Sequence, residues 1–229
     1  MPNIKVIIPA YNEADSISFV IRDIPPSVSE VIVVSNNSTD NTEVNAKNAG
    51  ATVLVEKQKG YGYACLKGMD YISKLEVKPD IIVFLDGDYS DYPEELTKII
   101  APITEDDIDF VVGARVKELR EEGSMTTPQI FGNYLATKLM QLFFGSTFTD
   151  LGPFRAIKYE KLLGLKMEDK TYGWTVEMQL KALKQKLSYK ETPINYRNRI
   201  GVSKVSGTIK GAIFAGVKIL AWIFKYSFK

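Results

Sequence analysis

Short apolar runs recur along the first half of this chain, separated by amphipathic segments. The runs fall at residues 5–8 (KVII), 30–34 (EVIVV), 52–55 (TVLV), 81–85 (IIVFL) and 109–112 (DFVV). Runs of this length, rich in β-branched residues and bounded by polar turns, are the pattern of strands covered on both faces. Between them, residues 14–23, 41–49 and a stretch from the 59–64 string to about residue 74 carry helical spacing. Pro25-Pro26 and Gly50 stop the first two of these helices, and Pro93 with Glu94 and Glu95 opens another. Strands alternating with helices at this spacing predict an α/β fold, a doubly wound, mostly parallel, Rossmann-like sheet.

The second half is less regular. Residues 116–128 (VKELREEGSMTTP) are polar and charged and predict a mobile loop. Helices are expected at 129–144, ended by Gly145, at 159–163 and at 174–186, with a strand at 188–196. A basic loop at 197–204 leads into a C-terminal helix, so the chain divides into a main domain, 1–206, and an appended helix, 207–229. At 100° per residue, Lys210, Lys218, Lys225 and Lys229 share one arc of that helix, of about 100°. Ile213, Val217, Leu220, Ile223 and Phe224 lie opposite. A basic amphipathic helix of this kind fits a membrane surface, with Trp222 and Tyr226 at headgroup level. Packing on its own domain or against a second copy, as a homodimer, is the alternative.

Composition narrows the chemistry. Among 229 residues there is no histidine, one cysteine (Cys65) and a net charge of +1. Ser-His-Asp and histidine–metal chemistry are excluded, as are an internal disulfide and a thiolate metal cluster. Any general base is Asp, Glu, Lys or Tyr. The charge balance gives no reason to expect nucleic acid. The opening MPNIKVIIPAYNE lacks the charged-then-apolar order of a leader, and no apolar run approaches the roughly 20 residues of a membrane span. A cytoplasmic protein is expected.

The candidate chemistry sits where the strands end. The 81–85 run stops in Asp86-Gly87-Asp88, at the carboxyl edge where open α/β sheets bind ligands. Carboxylates two residues apart project to the same side of an extended backbone, and Gly87 leaves room for a ligand. Such hard oxygen ligands suit Mg²⁺ or Mn²⁺ with a phosphate-bearing substrate completing the coordination. An Asp-Gly-Asp turn that caps the following helix would look the same.

Taken together, IPAYNE at 8–13, NNSTDNT at 36–42, KGYGYA at 59–64, DGDYSDYPEE at 86–95, GAR at 113–115, TDLGPFRA at 149–156, YGWTVEMQ at 172–179 and RIGVSK at 199–204 form a recognisable series. The chain resembles a family 2 glycosyltransferase of the A-type nucleotide-sugar (GT-A) fold, nearest its polyprenyl- or dolichyl-phosphate branch. That resemblance implies that Pro9, Ala10, Tyr11, Asn12 and Glu13 lie along the donor nucleotide. The family usually carries an Asp at Ser35 or Asn36; with Asn36 here, a UDP- or a GDP-linked donor both remain open. Lys59, Gly60 and Gly62 resemble the family's phosphate-facing glycine turn. Asp86, Gly87 and Asp88 match its DXD-type element, with Asp88 the direct metal ligand. Arg115, Arg155, Arg199, Ser203 and Lys204 are implied phosphate partners. Asp150 and Glu177 are the candidate bases should the acceptor be a hydroxyl.

The implied activity is metal-dependent, inverting transfer of a hexose from a nucleotide sugar to a polyprenyl phosphate at the inner face of the membrane. Two rivals stand beside it: the same fold with a hydroxyl acceptor, and a catalytically silent membrane-surface module. A nucleotidyltransferase or a dehydrogenase is disfavoured, because the first strand runs into PAYNE and not into a glycine-rich phosphate loop.

Overall fold

The structure, a computed structural model, describes residues 2–201 and 209–227. Its strands are β1 (Ile4–Ala10), β2 (Glu30–Asn36), β3 (Thr52–Glu56), β4 (Ile81–Phe84), β5 (Phe110–Ala114), β6 (Arg155–Lys158) and β7 (Tyr189–Pro193). They form one sheet in the order β3-β2-β1-β4-β6-β5-β7. The five strands of the first half lie where the apolar runs predict, within one or two residues at either end.

Side chains alternate across the sheet, as the two-residue period of a strand requires. Ile7, Ile82, Phe84, Phe110 and Val112 face one core, packed by α3 (Tyr61–Ser73), α5 (Thr127–Phe144), α6 (Tyr159–Leu165), α7 (Trp174–Lys184) and α8 (Ile209–Ser227). Val6, Ile8, Val83, Leu85 and Val111 face the other, packed by α1 (Ile17–Asp23), α2 (Thr42–Asn48) and α4 (Leu96–Glu105). α5 is fixed at both ends, by a capping box between Thr126 and Gln129 and by Gly145 in the left-handed region at φ 63°.

Three features differ from expectation. β6 is absent from the sequence reading, and it pairs antiparallel with both β4 and β5. Its sequence, RAIK, has only two apolar residues between two cations, too short a run to carry a strand signature. The 116–128 segment, expected to be a mobile loop, holds a 3-10 turn at Lys117–Leu119 and is fastened to the 196–198 backbone. Glu121 N donates to Tyr196 O at 2.8 Å, and Asn198 N donates to the Glu121 carboxylate at 2.8 Å.

The C-terminal helix packs on its own domain through Trp222 and Ile223, but its described lysines do not simply point outward. Lys218 Nζ lies 3.1 Å from Asp169 Oδ2 and Lys225 Nζ lies 3.7 Å from Glu168 Oε2, so both lysines turn toward the domain's own carboxylates. Trp222 is buried in the core, not at a headgroup level, and its indole N–H donates to Asp169 Oδ2 at 2.6 Å. Phe214, Val217 and Phe224 are exposed. Sequence periodicity fixes which residues share a face; the buried Asp169 decides which face points inward. The boundary expected at 206/207 and the side chains of Lys210, Ile213 and Lys229 lie outside the described residues.

Asp169 also accepts from the backbone N–H of Thr171 and Gly173, so it is the joint between α8 and the loop before α7. Replacing Trp222 by Phe keeps the ring but removes one donor to a buried carboxylate. Chemical denaturation is expected to show a loss of about 1–3 kcal/mol.

Candidate active site

A cavity of about 440 Å³ opens at the carboxyl ends of β1, β2, β4 and β5. Pro9 and Ala10 at the end of β1 and Tyr11 and Glu13 beyond it line the cavity, with Asn36 at the end of β2, Lys59 and Gly60 before α3, and Asp86, Gly87 and Asp88 after β4. Arg115 after β5 and Arg199 close the far side.

Asp86 and Asp88 share one wall of this cavity. Asp86 accepts a hydrogen bond from the Tyr61 hydroxyl at 3.0 Å. Burial and then the neighbouring charge of Asp88 push its pKa up to about 6. Asp88 accepts from Ser90 N at 3.0 Å and Ser90 Oγ at 2.5 Å, and its other oxygen meets Arg199 Nη1 at 2.6 Å. Gly87 is not conformationally required here. A Cβ at that position would meet its nearest neighbours at an ordinary 3.5 Å. Its carbonyl accepts from Ser16 Oγ at 2.7 Å, which holds the turn against the start of α1.

A third carboxylate lies behind the pair. Asp91 is buried, and neither of its oxygens has a hydrogen-bond partner among the described residues. Burial, then the charge of Asp86, raises its pKa well above the ordinary carboxylate range.

Several residues implied by the resemblance have other occupations. Asp150 is held by Arg115 through three contacts: from Arg115 N at 2.8 Å, Nε at 2.8 Å and Nη2 at 2.7 Å. Burial opposes ionisation of Asp150, yet the guanidinium outweighs it and lowers the pKa. A depressed, fully engaged carboxylate is a poor base, so Asp150 positions Arg115 instead. Glu177 is completely buried, accepting from Glu168 N at 2.9 Å and Asp169 N at 2.8 Å and pairing with Lys181 at 2.8 Å. It braces the 168–169 turn and does not reach the cavity.

Arg155 is not a phosphate ligand. It is completely buried, and its guanidinium donates to the carbonyls of Leu151, Gly152 and Thr175. Burial lowers its pKa to about 10. Its work is to tie the 151–152 turn to the first turn of α7. Asn12 adopts a left-handed φ of 54° and accepts from Thr39 N at 2.8 Å, clipping the two strand-end loops together. Asn36 reaches the cavity wall, but its amide donates to Glu56 O and Gln58 O and accepts from Gly60 N, so a base edge is not what it reads.

The glycine turn also serves the protein first. Gly62 N and Tyr63 N donate to Thr171 O and Lys170 O, and a Cβ at Gly62 would collide with Asp169 O. Lys59 remains on the cavity wall, its Nζ 5.7 Å from the Tyr11 ring. Ser203 and Lys204 lie outside the described residues. The sequence reading missed the aromatic lining of Tyr61, Tyr172, Trp174 and Tyr196. Tyr61 stands inside the KGYGYA string and Asp91 inside DGDYSDYP, so both were in view without a role.

A mostly parallel α/β sheet with an acidic turn, Asp86-Gly87-Asp88, at its carboxyl edge matches the nucleotide-sugar transferase class of architecture. Residues 5–164 match the profile described as Glycosyl transferase family 2, and the chain belongs to that family. It is a glycosyltransferase. It is 30% identical over 196 residues to the glycosyltransferase AglJ of Haloferax volcanii, covering 85% of this chain and 63% of that protein. A UDP-N-acetylglucosamine–dolichyl-phosphate N-acetylglucosaminyltransferase of Methanococcus voltae is 30% identical over 213 residues, 83% of this chain and 84% of that enzyme. In fold, the chain superposes on glucosyl-3-phosphoglycerate synthase from Mycobacterium tuberculosis with a TM-score of 0.78 at 21% identity, covering 99% of this chain and 80% of that one. That structure was solved with Mn²⁺, UDP-glucose and phosphoglyceric acid.

The acidic turn fits a divalent cation. Asp86 and Asp88 both line the cavity, and burial together with the charge of Asp88 raises the pKa of Asp86, a penalty that a cation there would relieve. Among the described residues no group of three or more acidic or thiol side chains is placed to hold a metal, so Asp86 and Asp88 are the carboxylates on the cavity wall that would do so. The remaining ligands would be phosphate oxygens and water, the usual arrangement for Mg²⁺.

Asp91 offers a pH test. Its folded pKa is raised, so its ionisation opposes folding at pH values above the ordinary carboxylate range. In Asp91→Asn, stability relative to wild type is expected to be higher at pH 8 than at pH 5. Equal differences at the two pH values would contradict a buried, unpaired carboxylate.

Proposed function

We propose that the protein is a metal-dependent, inverting hexosyltransferase that takes its sugar from a nucleotide sugar and gives it to a polyprenyl phosphate. The observation that carries this reading is the Asp86–Asp88 wall, two carboxylates lining one cavity, where Arg199 is the cation paired with Asp88 among the described residues. A bound Mg²⁺ or Mn²⁺ would supply charge for the departing nucleoside diphosphate. Arg199 and Lys59 supply cations on the same cavity, and Arg115, fixed by Asp150 and lying over the Tyr196 ring at 5.2 Å, presents a positioned guanidinium.

The state of the two candidate bases supports an anionic acceptor. Neither Asp150 nor Glu177 is free to take a proton, and an acceptor phosphate needs no base because it is already anionic. Its oxygen would form the new bond to the anomeric carbon while the bond to the diphosphate breaks. One such displacement inverts the configuration. The Methanococcus voltae relative, named for a dolichyl-phosphate acceptor, supports the lipid class.

The outer surface supports a bilayer contact. Phe214, Val217 and Phe224 on α8 and Phe131 and Leu142 on α5 are exposed, and the rings of Phe143 and Phe224 lie 5.9 Å apart across the two helices. This apolar band, not a lysine face, is what would enter the interface. Among the described residues no helix is long and apolar enough to cross a membrane. In this reading the protein works at the inner membrane face, with residues 1–206 forming the catalytic unit and 207–229 the surface helix.

Purified protein with Mn²⁺, a C55 polyprenyl phosphate and a panel of labelled UDP- and GDP-sugars tests the reaction. Label is expected in the organic phase and should fall by about 10²-fold or more in Asp88→Ala. Metal-dependent diphosphate release without lipid label would keep the transferase and replace the acceptor with a hydroxyl. For the surface, replacing Phe214 and Phe224 by Ser is expected to reduce co-sedimentation with anionic vesicles at least several-fold. Unchanged sedimentation, or a loss of dimer in its place, would reject the bilayer contact.

A further inference from the structure

The segment after β7 lies across the acidic turn. Arg197 N donates to Ser90 O at 2.9 Å and Ile200 N donates to Asp88 O at 3.0 Å, so residues 197–200 run along residues 88–90. The same segment is fastened to residues 119–121. Tyr196 N donates to Leu119 O at 3.0 Å, and Asn198 N donates to the Glu121 carboxylate at 2.8 Å. Arg197 adds a further tie, its guanidinium lying 3.5 Å and 3.9 Å from the ring centroids of Tyr89 and Tyr92. The backbone is thus pinned on both sides of Arg199, and the freedom at that position belongs to its side chain.

That side chain ends on Asp88, whose two oxygens are both engaged. Oδ1 accepts from Ser90 N at 3.0 Å and Ser90 Oγ at 2.5 Å, which fills both of its lone pairs. Oδ2 meets Arg199 Nη1 at 2.6 Å. The Asp88 side chain is only 6% exposed, whereas that of Arg199 is 24% exposed and lines the cavity. Asp86, by contrast, accepts from the Tyr61 hydroxyl and has no ion pair among the described residues. A cation drawn to the acidic turn therefore finds Asp86 without a counter-charge and Asp88 already paired. At the one Asp88 oxygen left to it, it would meet a guanidinium of like charge, and the two repel.

We infer that Arg199 is the resident counter-ion of Asp88, which competes with a divalent cation for that carboxylate and turns toward the substrate diphosphate when displaced. The inference rests on the metal-dependent transfer reading and adds to it how the acidic turn is kept neutral before the substrate arrives. Because residues 197 and 200 stay bonded to the turn, a displaced Arg199 remains at the cavity, beside Tyr196, with which it also interacts. A planar, permanently charged guanidinium suits the oxygens of a nucleoside diphosphate. Arg199 then opposes the metal alone and favours the metal together with the nucleotide, so the two ligands bind with positive coupling.

The test measures the affinity of the full chain for Mn²⁺ alone, from the electron paramagnetic resonance signal of the free ion, in wild type, Arg199→Gln and Arg199→Lys. Calorimetry then gives the affinity of each protein for UDP and GDP at saturating Mn²⁺. Arg199→Gln is expected to bind Mn²⁺ about 10-fold more tightly than wild type, and the nucleotide about 10-fold more weakly. Arg199→Lys keeps the charge and should hold the metal affinity near that of wild type. Melting curves report the fold independently, and Mn²⁺ should raise the Tm of Arg199→Gln more than that of wild type. The opposite signs are the signature, because a general loosening of the site would weaken both ligands. Metal-dependent nucleotide binding with Mn²⁺ affinity unchanged or weakened in Arg199→Gln would overturn the counter-ion role and leave the transfer reading standing. No Mn²⁺ binding by any of the three proteins, with or without nucleotide, would overturn both.

Discussion

Uncompensated negative charge at one edge of the sheet is the constraint around which this molecule is arranged. Asp86, Asp88, Asp91 and Asp150 interact electrostatically there, and among the described residues Arg115 and Arg199 are the guanidiniums that answer them. Arg115 is already taken by Asp150, in a pair that excludes most water. Arg199 answers Asp88, leaving Asp86 with a phenol and Asp91 with no hydrogen bond. A fold that buries such a cluster carries a destabilising term that an incoming cation would relieve. Ligand affinity and stability are thereby linked through the same carboxylates.

The rest of the polar interior holds that edge in place. Arg155 ties the 151–152 turn to α7, Glu177 braces the 168–169 turn, and Asp169 joins that turn to α8. Each is a charged residue occupied by backbone groups, joined for Glu177 by Lys181 and for Asp169 by Trp222 and Lys218. They make the cavity walls rigid. Tyr172, Trp174 and Thr175 line the cavity at the sheet edge from the backbone that these groups hold. Positioning by buried charge suits a site whose reacting groups must not relax when the substrate's charge arrives.

Much of this was legible in the sequence. Strands buried on both faces announce themselves as unbroken apolar runs, and β1 to β5 did so. The acidic turn was legible because it follows the most apolar of those runs. β6 was not, because a four-residue strand between two antiparallel partners needs little apolar content of its own. Residue type also says nothing of allegiance. Arg155 and Arg199 look alike in the sequence, yet one donates to three carbonyls in the interior and the other meets Asp88 at 2.6 Å. The same holds for α8, where helical periodicity could not show that Asp169 and Glu168 would meet Lys218 and Lys225.

The central claim is that the Asp86–Asp88 wall binds a nucleoside diphosphate through a divalent cation. Calorimetric titration of UDP and GDP into the protein, with Mn²⁺ and again with chelator, tests it most directly, alongside Asp86→Asn. The account predicts that one of the nucleotides binds with Mn²⁺, that chelator abolishes the binding, and that the Asp86 substitution weakens it. Binding of equal strength with and without the metal would contradict it.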